Sequence, residues 1–168
     1  VKAKHLVESG VVTQEQIDRA LNILNTPNVF ETSKMIMTNG DFYPRNFIEL
    51  SDGKIVVIDW EGREDYHAQI DVNGVIETFT GQRNTLINYL ENHIAFFFVH
   101  MWGNYKLQKQ FMKKVRVKFN PSIKSLQAAL IIKSLEQALA FGNGYLAVRE
   151  AEIFVNSLDK EYVEDWLN

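Results

Sequence analysis

The apolar period of this chain changes twice, and those two changes constrain the fold more than any single residue does. Across residues 13–25, Ile17, Ala20, Leu21 and Leu24 recur three and four apart, which lines one face of a helix. Thr13 followed by Gln16 has the form of a capping box, and Pro27 stops the run. The period then shortens. Met35-Ile36-Met37 reads as a short buried strand, and residues 47–50 and 54–58 read as two more, with Asp52-Gly53 between the latter pair as a hairpin signal. From about Asp71 everything reads as helix, over 84–101, 104–119, 122–141, 145–157 and a short 159–167, punctuated by glycines. The expected class is α+β, mostly α-helical, with a small β-hairpin near the start.

A length of 168 residues suits one domain with a core of its own. Hydrophobic content of 46% and charged content of 23% are ordinary globular values. With a formal net charge of -3, nothing global draws the chain to nucleic acid or to an anionic membrane. The absence of cysteine removes disulfides, thiol catalysis and cysteine zinc sites, and is compatible with a reducing cytoplasm. The longest apolar run, Ile94 to Trp102, is broken by His100 and is far shorter than the ~20 residues of a membrane span. The chain opens on Val1 inside a helical pattern and without a signal peptide, which reads as a piece of something longer.

The chemistry concentrates in Thr38-Asn39-Gly40-Asp41-Phe42-Tyr43-Pro44-Arg45-Asn46, the hairpin, and Ile58-Asp59-Trp60-Glu61. A two-residue turn at Asp52-Gly53 would set Ser51 opposite Lys54, Phe47 opposite Ile58 and Asn46 opposite Asp59. Opposed residues of an antiparallel pair lie ~4.5–5.5 Å apart on one face. An amide oxygen and a carboxylate would then converge at the open end of the hairpin, a seat for Mg²⁺, which takes hard oxygen ligands and shares them with phosphates. Asp41, on the loop entering the same strand, is placed to accept a hydroxyl proton and align the oxygen for attack.

Asp41, Asn46 and Asp59 stand five and then thirteen residues apart. This spacing, with Asn39-Gly40-Asp41-Phe42-Tyr43-Pro44-Arg45-Asn46 and Ile58-Asp59-Trp60-Glu61, resembles the aminoglycoside phosphotransferase and choline kinase family, over roughly residues 34–76. The resemblance implies that residues 1–168 are the C-terminal, catalytic lobe of a protein-kinase-like fold, whose β-hairpin carries the metal site. It further implies Asp41 as catalytic base, Asn46 as metal ligand, and Asp59 as the metal ligand bridging the phosphates of ATP. Asp71 resembles the family's helix-opening aspartate, which braces the catalytic loop. The chain departs from the family in two ways. The usual histidine is Asn39 here, and no Gly-rich phosphate loop or strand lysine with a glutamate partner is found.

The expected activity is ATP- and Mg²⁺-dependent phosphoryl transfer to a hydroxyl of a small molecule, whether aminoglycoside, choline, sugar or amino alcohol, in the cytoplasm. The nucleotide-binding lobe would lie outside these residues, leaving the fragment inactive alone and able to self-associate through an exposed cleft face. The alternative is a non-catalytic, pseudokinase-like binding module. No nucleic-acid or membrane partner is expected. The basic run Lys106, Lys109, Lys113, Lys114, Arg116 and Lys118 alternates with Leu107, Phe111, Val115 and Phe119, as a solvated helix face does. Phe96-Phe97-Phe98 with Trp102 reads as helix core, and His5, His67, His93 and His100 show no ligand spacing.

Overall fold

Thr13 starts the first well-capped helix: its hydroxyl accepts from the Gln16 backbone N–H at 3.2 Å, and the Gln16 side chain accepts from the Thr13 N–H at 2.8 Å. Both bonds satisfy groups that helix ends leave open. In a computed structural model that describes residues 2–38, 46–57, 69–70, 76–77, 86–101, 103–141 and 145–168, this helix is α2 (Gln14–Leu24). It follows α1 (Lys2–Glu8). The later helices are α3 (Leu90–His100), α4 (Tyr105–Phe119), α5 (Ile123–Phe141), α6 (Tyr145–Ser157) and α7 (Lys160–Leu167). Asn104 and Asp159 cap α4 and α7 with their side chains, and Asn120 ends α4 in the left-handed region at φ 46°, as helix C-caps do. The architecture is α+β and mostly helical.

The strands are β1 (Met35–Thr38), β2 (Phe47–Glu49), β3 (Ile55–Val57), β4 (Gln69–Ile70), β5 (Ile76–Glu77) and β6 (Leu86–Tyr89). They form three antiparallel pairs, β1–β6, β2–β3 and β4–β5. Here the structure corrects two expectations. Helix was expected from about Asp71, yet residues 69–89 contribute three short strands. β6 takes its conformation from a partner strand remote in sequence, Met35 opposite Tyr89 and Thr38 opposite Leu86, and pairing at that distance leaves no local periodic signal. Met35, expected in a buried strand, is 54% exposed, because β1 is covered along its backbone by β6 while this side chain faces solvent.

α5 is apolar or small nearly all round and lies at the centre, as such helices do. Leu126, Ala128, Ala129 and Leu130 join a cluster with Phe98 and Val99 of α3, Met112 and Val115 of α4, and Val163, Trp166 and Leu167 of α7. Its Ile131 and Ala138 join a second cluster with Leu6, Val12, Ile17, Ala20, Ala151 and Phe154. Trp166 stands edge-on to Phe98 with centroids 4.9 Å apart, a geometry worth ~0.5–1.5 kcal/mol beyond burial.

The segment feeding β1 is tied to this core. Phe30 stacks on Tyr89 with centroids 4.6 Å apart and ring planes within 4°. The Ser125 hydroxyl donates to the Val29 carbonyl at 2.8 Å, Lys124 Nζ donates to the Pro27 carbonyl at 3.0 Å, and the Leu90 N–H donates to the Lys34 carbonyl at 2.8 Å. β1 therefore leaves the helical body in a fixed direction. Among the described residues no helix is long and apolar enough to cross a membrane.

Candidate functional site

The hairpin that should carry the metal ligands is built around Gly53. Its N–H donates to the Leu50 carbonyl at 2.9 Å, and the Leu50 N–H donates to the Lys54 carbonyl at 2.8 Å. Gly53 sits at φ 79°, in the left-handed region that side chains avoid. The connection is thus three residues, Ser51 to Gly53, closed by a left-handed glycine, and not the expected two-residue turn. Asp52 holds it: its carboxylate accepts from the Lys54 N–H at 3.1 Å and from Lys54 Nζ at 2.7 Å. Those bonds hold the Asp52 carboxyl below its ordinary pKa.

The extra loop residue shifts the register by one. Phe47 pairs with Val57 and not with Ile58, Ile48 pairs with Val56, and Glu49 with Ile55. A slip of one exchanges the faces of a strand, so the direct opposition of Asn46 and Asp59 expected from the turn does not follow from the observed ladder. Asn46 immediately precedes β2 and is 4% exposed. Asp41 and Asp59 lie outside the described residues, as do Asn39, Asp71 and His67. The hairpin is open, with Ile48 44%, Leu50 43%, Ile55 66% and Val56 41% exposed beside the polar Glu49, Ser51, Asp52 and Lys54. Among the described residues no group of three or more His, Cys, Asp or Glu is placed to hold a metal.

The remaining candidates divide between core and surface. His93 is buried on α3, and desolvation, with Lys133 nearby, pushes its pKa down to about 4, so it is neutral at pH 7. His100 Nδ1 lies 2.7 Å from the Phe96 carbonyl, within its own helix. Phe98 is core, while Phe96 and Phe97 are half-buried. On α4, Lys106, Lys113, Lys114, Arg116 and Lys118 are exposed. Its inward face is Gln108, Met112 and Val115, with Leu107 and Phe119 left in solvent. Gln108 is buried because its amide donates to the Phe98 carbonyl at 3.3 Å, a role that hydropathy does not reveal.

A second concavity was missed by sequence reasoning. A cleft of about 430 Å³ opens between the starts of α3 and α5 and the end of α4, with Lys34, Glu91 and Arg116 on its walls. These residues are distant in sequence and share no motif, so only packing brings them together. No family model, curated protein or solved structure matches the chain, and the functional reading rests on its own residues.

Proposed function

We propose that this chain is the catalytic, C-terminal lobe of an ATP-dependent phosphotransferase acting on the hydroxyl of a small molecule, in the cytoplasm. One observation carries the reading: Asp41, Asn46 and Asp59 recur at kinase spacing around a hairpin, and Asn46 is buried where that hairpin begins. Asp41 orients and deprotonates the acceptor. Asn46 and Asp59 would hold Mg²⁺, which would supply charge neutralisation for the phosphates of ATP. Given the observed register, the two ligands share a cation only if the chain leaves the strand soon after Val57 and brings the Asp59 carboxylate round to Asn46. The exposed apolar side chains of the open hairpin support a covering wall at this place.

These residues contain no Gly-rich loop or strand lysine to grip the triphosphate, and positioning is most of phosphoryl-transfer catalysis. We therefore assign that grip to a further lobe, and self-association through the exposed cleft face to the lobe alone. The test is ADP release in the presence of Mg²⁺ over a panel of aminoglycosides, choline, sugars and amino alcohols. It uses protein that includes the flanking coding sequence. Acceptor-dependent turnover that vanishes in Asp41→Asn is expected. ATP binding without turnover for any acceptor favours the pseudokinase-like alternative, which Asn39 in place of the family's histidine and the lack of a phosphate-gripping loop in these residues also favour.

A further inference from the structure

The cleft between the starts of α3 and α5 carries charge of both signs, and among the described residues no ion pair neutralises it. Lys34 and Arg116 are exposed on its rim, and neither forms an ion pair with another described residue. Glu91, on the inner wall, is 4% exposed, and its Oε2 has no hydrogen-bond partner. A buried carboxylate with an oxygen left without a donor is costly, and Glu91 is the acidic residue that lines the cleft. The rim is further biased toward anions. α5 begins there behind Ser122, whose hydroxyl accepts from the Ser125 N–H at 3.0 Å, and helix N-termini carry positive partial charge.

We propose that this cleft binds a small zwitterion, with its ammonium donating to Glu91 and its anionic group, carboxylate or phosphonate-like, held by Arg116 and Lys34. A simple anion would leave Glu91 unsatisfied and would face its charge. A simple cation would meet Arg116 and Lys34. A zwitterion answers both, and Phe119, 44% exposed on the same wall, gives a short methylene spacer an apolar surface. The volume lies within the ~300–1,000 Å³ of small-molecule sites. None of the residues lining this cleft is one assigned to phosphoryl transfer. β1 carries the chain from Lys34 to Thr38, four strand steps or ~13 Å, before it enters residues 39–45.

Calorimetric titration of the protein tests this with two zwitterions, β-alanine and aminoethylphosphonate, and three singly charged fragments, propionate, ethylphosphonate and propylamine. At least one zwitterion should bind about tenfold more tightly than its own anionic fragment, the size of one charge-assisted hydrogen bond. The tighter of the two identifies the anionic group. Glu91→Gln should erase that advantage while leaving anion binding, and Arg116→Glu should abolish both. Arg116 is exposed, so its variant keeps the proposal testable if Glu91→Gln fails to fold. The proposal is overturned if ethylphosphonate binds as well as aminoethylphosphonate and propionate as well as β-alanine. Absence of saturable binding by any probe, or indifference to Arg116→Glu, overturns it equally.

Discussion

Asn46 is buried where an exposed asparagine would be expected before a solvated strand, and its partner in the proposed metal site decides whether that burial is chemical. Asp59→Ala should abolish Mg²⁺-dependent ATP binding in protein that includes the flanking coding sequence, because it removes the only carboxylate assigned to the cation. Unchanged Mg·ATP affinity by calorimetry would remove Asp59 from the site. Asp41→Asn should cost ~10²–10⁴ in turnover, the usual worth of a positioned base, with nucleotide affinity largely kept. Parallel loss of both would make Asp41 a metal ligand or a brace. His93 offers a test independent of ATP. Its folded pKa, about 4, lies below the ordinary 6.5, so between those values the unfolded chain binds a proton that the folded chain refuses. Stability should therefore fall as pH drops from 6.5 toward 4, by up to about 3 kcal/mol. Burial raises the Glu150 carboxyl, and its contribution runs the other way, lost as pH rises above 4.5. The difference between the protein and His93→Gln in urea titrations isolates the histidine, and a difference that does not vary with pH would contradict its neutral burial. At this scale the sequence displayed residue types and spacing, but not which groups burial would perturb.

Elements were legible where their signals are local. The Thr13–Gln16 box and the helical period placed α2 within a residue of its ends, and α6 matched at both. Thr13→Ala removes the hydroxyl acceptor and should cost about 1 kcal/mol, read as a lower urea midpoint at unchanged slope. No change would mean that α2 is held by packing alone. What the sequence concealed was pairing. Asp52-Gly53 announced a hairpin, but the glycine closes a three-residue loop instead of sitting inside a two-residue one, and the register moved with it. β6 was hidden for the same reason, since its partner β1 is remote in sequence. On α4 the basic face is exposed and Phe111 and Val115 pack inward, but Leu107 and Phe119 lie in solvent while a bonded glutamine, Gln108, takes a core place.

For the molecule as a whole, mostly helical α+β architecture was legible from the return of the helical period after the hairpin. The arrangement of its core was not. Two hydrophobic clusters lie on different sides of one helix, and α5 supplies both: Leu126 and Leu130 to one, Ile131 and Ala138 to the other. Leu130→Ala should cost ~2–5 kcal/mol, as cavities in packed cores do. It should also lower the thermal midpoint reported by probes in both clusters, and a loss confined to the α3–α7 side would refute the shared helix. The consequence concerns how the protein comes apart. With one rod threading both cores, neither can melt while the other keeps its shape, so opening should be all-or-none. Amide protons along the middle of α5 should then exchange with solvent only when the entire chain unfolds, while those of the open hairpin exchange through small local excursions long before.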